Sequence, residues 1–167
     1  MRTADTIEQL RAELKQDMSY IRLNYTKNRE MTDRIGLASP GGSENEFEYA
    51  ALGYTLHNLY SAMESYFVRI ARFFENNIEP SAWYRELIDR MTLEIEGVRP
   101  ALFDIDFSRR VDELMRFRHL FRNLYKTPLK PEKVAIANRE AEGIAEAFHN
   151  YHQRFDRFLR QLKTELS

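Results

Sequence analysis

Apolar residues recur every three or four positions along most of this chain, and this spacing constrains its fold more than any other feature. Because an α-helix completes a turn in about 3.6 residues, such spacing places the apolar side chains on one helical face. The stripes run from Ile7 to Tyr25, from Leu52 to Phe73 and from Val134 to Leu162. The sequence contains no alternating strand pattern of any length and no internal repeat. An all-α fold is therefore predicted.

Glycine and proline, numbering six and five, separate the apolar stripes and indicate where the helices end. The clearest break is GLASPGGS at 36–43, after which Ser43 and Glu46 have the spacing of a capping box. The long helices predict an antiparallel four-helix-type bundle with one additional short helix, forming a single domain over residues 1–167. The predicted helices lie at about residues 3–31, 44–76, 80–91, 106–126 and 131–167.

The composition excludes several classes of protein. With 167 residues, 43% of them hydrophobic, the chain can bury the core of one domain, so intrinsic disorder is not expected. There is no cysteine, which excludes disulfides, thiolate nucleophiles and cysteine zinc sites. No apolar run approaches the roughly 20 residues of a membrane span, and the N-terminus is too polar for a signal peptide. We expect a soluble cytoplasmic protein without membrane contact.

Positive charge is concentrated in one part of the chain. The net charge is −1, yet the segment 109–133 contains eight Lys and Arg against three acidic residues. A local basic surface of this kind can attract a phosphate polymer or an acidic partner. A solvated helix face is the alternative interpretation.

The segment RFRHLFRNLY at 116–125 lies inside this basic region. If the helix continues through it, Arg118, His119, Arg122 and Asn123 form a polar flank beside the apolar face, with Tyr125 near Arg118. Two arginines four residues apart repel each other, and a phosphate between them would relieve the repulsion. Alternatively, Arg118 pairs with an acidic residue of a neighbouring helix, for which Glu64 is suitably placed.

RHLFRNLY resembles the Arg-x4-His-x-Tyr motif of the HEPN superfamily, in particular the HepT-like toxins. The resemblance extends to YTLHNLYSAMESYFVRIARFF and WYRELIDRM, and covers roughly residues 45–135. It implies a helical bundle that forms a homodimer and brings two motifs together in a cleft. It further implies a ribonuclease that needs no metal or cofactor, and a minimal nucleotidyltransferase antitoxin as partner.

Residue by residue, Arg118 takes the position of the motif arginine, and Tyr125 that of the tyrosine to which the antitoxin attaches AMP. Asn123 stands where the family has its catalytic histidine. Because asparagine does not titrate, it can orient a substrate but cannot exchange a proton. His119, one helical turn away, is the candidate substitute for the base. The remaining candidates are Arg116, Arg122 and Lys126 as phosphate or RNA contacts, and Glu64 and His57 as supporting residues.

Two main hypotheses follow, together with a simpler one. The protein is either an RNA-cleaving toxin or a non-catalytic HEPN module that binds RNA, a nucleotide or the nucleotidyltransferase. The simpler hypothesis is a helical scaffold with a solvated basic face. Glu146 and His149 form a single Glu-x-x-His pair, whereas a di-iron bundle needs two, and His149 with His152 is weak evidence for a metal.

Overall fold

The computed structural model describes residues 2–36, 46–75 and 80–167, with the backbone alone for residues 80–85. Across these ranges, strand-like pairing is limited to one isolated bridge between Ile95 and Arg99. The predicted all-α class is therefore confirmed. The described helices are α1 (Ala4–Gly36), α2 (Glu46–Phe74), α3 (Pro80–Met91), α4 (Ile105–Arg122), α5 (Pro131–Ala141) and α6 (Ile144–Glu165).

Two helix ends differ from their predicted positions. Helix α1 continues to Gly36 rather than ending near Met31. Helix α4 ends at Arg122 rather than near Lys126, because Asn123 leaves the helical conformation and acts as the C-cap. The predicted capping box at Ser43 lies outside the described residues.

The predicted last helix is in fact two helices, so the expectation of one continuous helix from Pro131 to the C-terminus is wrong. Helix α5 stops at Ala141, and Gly143 adopts a left-handed conformation with φ of 69°. Glycine reaches that conformation without the steric cost that a Cβ brings. The amide of Gly143 donates to the hydroxyl of Tyr25 in α1 at 2.8 Å. The turn is therefore held against α1.

Helices α1 and α2 share the largest helix–helix interface, while α6 packs on α1 and α4 packs on α2. Phe148 of α6 is fully buried at the centre of the bundle. Its ring centroid lies 4.9 Å from that of Tyr66, 5.9 Å from that of Phe67 and 6.1 Å from that of Phe107. These aromatic contacts join α6 to α2 and α4. Helix α6 therefore packs against both α2 and α4, which contain HEPN-like segments.

A buried arginine organises the connection between α3 and α4. The guanidinium of Arg99 pairs with the carboxylate of Glu75, which follows α2, and also donates to the carbonyl oxygen of Leu93 at 3.0 Å. Further along, Asp104 caps α4 by accepting a hydrogen bond from the amide of Phe107 at 2.8 Å. The connection therefore fixes where α4 begins.

Candidate functional site

The motif arginine, Arg118, is buried between α4 and α2, with only 6% of its surface exposed. Its guanidinium donates a bidentate pair of hydrogen bonds to Glu64, from Nη1 to Oε1 at 2.8 Å and from Nη2 to Oε2 at 2.6 Å. The same group lies over the ring of Tyr60, 4.5 Å from its centroid. Both carboxylate oxygens of Glu64 are thus bound to Arg118. This is the pairing that the sequence analysis named as the alternative to phosphate binding.

Asn123 caps α4 with both its backbone and its side chain. Its backbone amide donates to the carbonyl oxygen of Leu120 at 3.0 Å, and its Nδ2 donates to that of His119 at 2.8 Å. These contacts satisfy carbonyl groups that every helix leaves open at its C-terminus. The residue at the motif histidine position is therefore engaged in ending the helix.

Tyr125 lies beyond α4, in the turn that follows it, so the predicted helical placement of Tyr125 beside Arg118 is wrong. Its side chain is 80% exposed, and Nζ of Lys126 lies 5.3 Å from its ring centroid. An exposed tyrosine is accessible to another protein, whereas Arg118 is not. Of the two residues that the resemblance aligns with the motif, Tyr125 is therefore exposed and Arg118 is buried.

The packing of α2 against α4 places His57 within electrostatic range of Arg118 and Arg122. Its ring lies 5.7 Å from that of Phe121, between centroids, and its Nδ1 is buried without a hydrogen-bond partner in the described part of the chain. Burial, followed by the charges of Arg118 and Arg122, holds the pKa of His57 below its ordinary value. The imidazole of His57, which the lowered pKa keeps neutral, therefore lies within electrostatic range of Arg118 and Arg122.

A close helix approach makes this arrangement possible. A Cβ added at Gly53 would lie 2.9 Å from Cε2 of Phe121, which is too close without a shift of the ring. Helix α2 can therefore approach α4 closely one turn before His57. Because His57, Tyr60 and Glu64 are spaced by three and four residues, they share the face of α2 that meets α4.

The other predicted contacts form an exposed basic surface at the end of α4. Arg116 pairs with Asp112 at 2.7 Å on the same helix, and this pair is largely open to solvent. His119, Arg122 and Lys126 are exposed and make no ion pair within the described residues. Arg122 is therefore a predicted phosphate contact that is exposed to solvent and also close enough to His57 to lower the pKa of its imidazole.

The structure also bears on metals and membranes. The described part of the chain contains no group of three or more histidine, aspartate or glutamate side chains arranged to hold a metal ion. No helix in that part is long and apolar enough to cross a membrane.

Acidification is expected to lower the free energy of unfolding through three partly buried histidines. The pKa values of His57, His149 and His152 are all held below the ordinary value, mainly by burial. Because the unfolded chain binds protons at these sites more readily, stability is retained above about pH 6.5 and lost as the pH falls below it. Urea unfolding at about pH 7.5 and about pH 5.5 measures the effect. His57→Gln should show a smaller loss than the parent, and an unchanged loss would contradict the assignment of His57 as neutral.

Comparison with known proteins supports the HEPN resemblance. A family model described as HepT-like protein matches residues 51–161, about two thirds of the chain, and this range contains α4 and nearly all of α2. No curated protein and no solved structure gives a significant match. The chain therefore belongs to the HepT-like proteins of the HEPN superfamily.

Proposed function

We propose that this protein is the toxin component of a HEPN/nucleotidyltransferase toxin–antitoxin pair and cleaves RNA without a metal ion. The observation that carries the proposal is the packing of His57 against Phe121 of α4, within electrostatic range of Arg118 and Arg122. Family membership supports the toxin-like module, and His57 supplies the imidazole that Asn123 lacks. The proposed site is therefore assembled from α2 and α4 rather than from the motif alone.

The contacts of the two arginines support different roles in this proposal. Arg118 makes a bidentate ion pair with Glu64, so it holds α2 and α4 together. It contributes positive charge, but its two terminal nitrogens are already hydrogen-bonded. Arg122 is exposed and free to make forked hydrogen bonds to a phosphate. In this proposal Arg122 binds the scissile phosphate, with Arg116 and Lys126 contacting neighbouring phosphates.

The chemistry is an internal transfer at phosphorus. Neutral His57 takes the proton of the ribose 2′-hydroxyl, and the 2′-oxygen attacks the adjacent phosphorus. The bond from phosphorus to the 5′-oxygen breaks, leaving a 2′,3′-cyclic phosphate, and the 5′-oxygen receives a proton from His119. The positive charge of Arg122 stabilises the extra negative charge that develops at the phosphate.

Tyr125 is the proposed target of the antitoxin. Its position after the end of α4, 80% exposed, suits a residue that a second enzyme must reach. Attachment of AMP there would place a bulky anion beside Lys126 and near the basic surface that the RNA needs. A homodimer, as the resemblance implies, would bring two such surfaces together.

Non-catalytic binding is the second candidate function, and two contacts favour it. Asn123 is engaged in capping α4, and Arg118 is engaged with Glu64, so neither motif position offers a reactive group. Such a module would hold RNA, a nucleotide or the nucleotidyltransferase through Arg116, Arg122 and Lys126. The two candidates differ in whether the phosphodiester bond is broken.

A cleavage assay on single-stranded RNA in the presence of EDTA tests the proposed function. The parent protein is expected to cleave, and His57→Gln to lower the rate at least about 100-fold, as expected for loss of a general base. His149→Gln, in a histidine of α6, is the matched control and should keep the parental rate. Circular dichroism checks that each variant is folded.

The same experiment separates the two candidate functions. An inert parent protein that still binds RNA, with weaker binding after Arg122→Gln, would support the non-catalytic module instead. So would a gain of cleavage by Asn123→His in an inert background. If His57→Gln cleaves as fast as the parent, His57 is not the base and the proposed mechanism is wrong.

A further inference from the structure

A second cluster of charged and titratable groups lies on the α1–α6 side of the bundle. A cavity of about 660 Å³ opens between these two helices, a size typical of small-molecule sites. Its walls include Lys15 and Arg22 from α1, and His149 and His152 from α6. None of these residues belongs to the α2–α4 site, so an inference drawn from them is independent of the proposed ribonuclease activity.

The acidic residues of this cavity are already neutralised. Glu8 pairs with Arg11 at 2.7 Å and with Lys163 at 2.8 Å. Asp156 pairs with Arg11 at 2.8 Å and with Arg160 at 2.9 Å. Each carboxylate thus has two cationic partners, and neither is left to balance the remaining positive charge of the cavity.

Two cations remain uncompensated. Within the described residues, Lys15 and Arg22 line the cavity and make no ion pair or hydrogen bond. Arg22 lies close enough to both His149 and His152 that its charge lowers their pKa values. A negatively charged guest would be attracted to these cations and would also offset the effect of Arg22 on the protonation of the imidazoles.

The histidines offer hydrogen-bond donors to such a guest. Nδ1 of His152 lies 2.9 Å from the hydroxyl of fully buried Tyr66. Burial raises the pKa of Tyr66, so its hydroxyl keeps the proton and can donate it to Nδ1 of a neutral His152. In the tautomer that accepts this hydrogen bond, the proton of His152 resides on Nε2, which is then a donor. His149, with its ring centroid 6.1 Å away, has a buried Nδ1 that lacks a partner in the described chain.

We propose that the cavity between α1 and α6 is a binding site for a dianionic phosphate group, held by Lys15, Arg22, His149 and His152. The pattern matches the chemistry of phosphate, which accepts several hydrogen bonds and favours arginine and lysine together. The guest is inorganic phosphate or the phosphate of a small monoester such as a mononucleotide. The groove between the two helices is open to solvent and can admit a small anion.

Titration with inorganic phosphate, AMP and adenosine tests the site and distinguishes the two sources. With imidazole NMR signals of His149 and His152 as the readout, phosphate is expected to bind saturably, with a Kd of about 1 mM or tighter. Equal affinity for phosphate and AMP assigns the site to the phosphate group alone. Tighter binding of AMP, with none of adenosine, assigns it to a phosphate monoester.

Paired charge-removal variants provide the control. Lys15→Gln/Arg22→Gln is expected to weaken phosphate binding at least about tenfold, because both uncompensated cations are lost. Lys27→Gln/Arg109→Gln removes one exposed lysine and one exposed arginine elsewhere and should bind as the parent does. Absence of histidine shifts with phosphate, or equal affinities of the two double variants, would overturn the proposal.

A pH comparison with sulfate gives an independent readout. The groups that face the two imidazoles are Arg22 of α1, Asp156 of α6, Tyr66 of α2 and the imidazoles themselves. A bound dianion favours the protonated imidazoles, so sulfate, whose charge stays constant, should bind several-fold more tightly at about pH 6 than at about pH 8. Equal affinity at both pH values would show that the imidazoles are not in contact with the anion.

Discussion

Replacing Arg118 with alanine is expected to lower the free energy of unfolding by about 3–5 kcal/mol, one of the largest effects of any single change in this chain. The reason is the carboxylate that remains. Glu64 has both oxygens bound to Arg118, and only 14% of its side chain is exposed, so the variant leaves a buried charge without a partner. Denaturant unfolding at neutral pH measures the loss.

A double replacement distinguishes the contribution of the ion pair to stability from the contribution of side-chain packing. Arg118→Met/Glu64→Leu removes both charges and keeps apolar volume, so it should be considerably more stable than Arg118→Ala. Arg116→Ala is the matched control, since its pair with Asp112 is exposed and contributes at most about 1 kcal/mol. Equal losses for Arg118→Ala and Arg116→Ala would contradict the burial of the Arg118–Glu64 pair.

This energetic role affects how functional experiments on the motif are interpreted. A loss of RNA cleavage in Arg118→Ala would not by itself identify a phosphate ligand, because the variant also loosens α2 from α4. Arg122 is exposed and makes no ion pair within the described residues, so Arg122→Gln tests phosphate binding with little effect on the fold. In the proposed function, the buried Arg118 positions the site and the exposed Arg122 binds the phosphate.

Apolar spacing was sufficient to predict the fold class and most of the helices. It failed at Gly143, where one predicted helix is two. Ala141 and Ile144, on either side of the turn, are both fully buried, so the apolar pattern continues while the backbone does not. The break occurs where Gly143 adopts a left-handed conformation. Because glycine adopts this conformation readily, the presence of a glycine was the available sequence signal for the break.

The candidate site was predictable in its residues but not in its contacts. Arg118, Glu64 and His57 are predicted site residues, and the structure brings these three together at the α2–α4 interface. A helical projection cannot decide whether an arginine at the edge of an apolar stripe faces solvent or a neighbouring helix. That outcome depends on the close approach at Gly53, which is a property of two helices and not of one.

The placement of Tyr125 was wrong for a local reason. The projection assumed a helix as far as Lys126, but Asn123 ends α4 with its backbone amide and its side chain. Asparagine is one of the residues found at the ends of helices. The presence of Asn123 was therefore a sequence signal for the end of α4. Asn123, which the resemblance aligns with the motif histidine, is therefore also the residue that ends α4.

The position of α4 depends on a second buried arginine, for which an equally large effect is expected. Arg99 is almost completely buried, and its guanidinium contacts Glu75 as well as the carbonyl oxygens of Leu93, Pro100 and Arg90. Among the described residues, Arg99→Ala would leave Glu75 with Arg90 as its remaining cationic partner, and the carbonyl oxygens of Leu93 and Pro100 would lose a donor. A loss of about 3–5 kcal/mol in the free energy of unfolding is expected.

Arg99→Lys tests whether charge or geometry matters at this position. A lysine keeps the positive charge but cannot reach a carboxylate and three carbonyl oxygens from one planar group, so most of the loss should remain. Arg109→Lys, in an exposed arginine at the start of α4, is the control and should be nearly neutral. Because Arg99 fixes the connection that leads to the cap of α4 at Asp104, Arg99→Lys should also increase amide hydrogen exchange in the first turn of α4. Unchanged exchange there, together with parental stability, would show that α4 is positioned by the core alone.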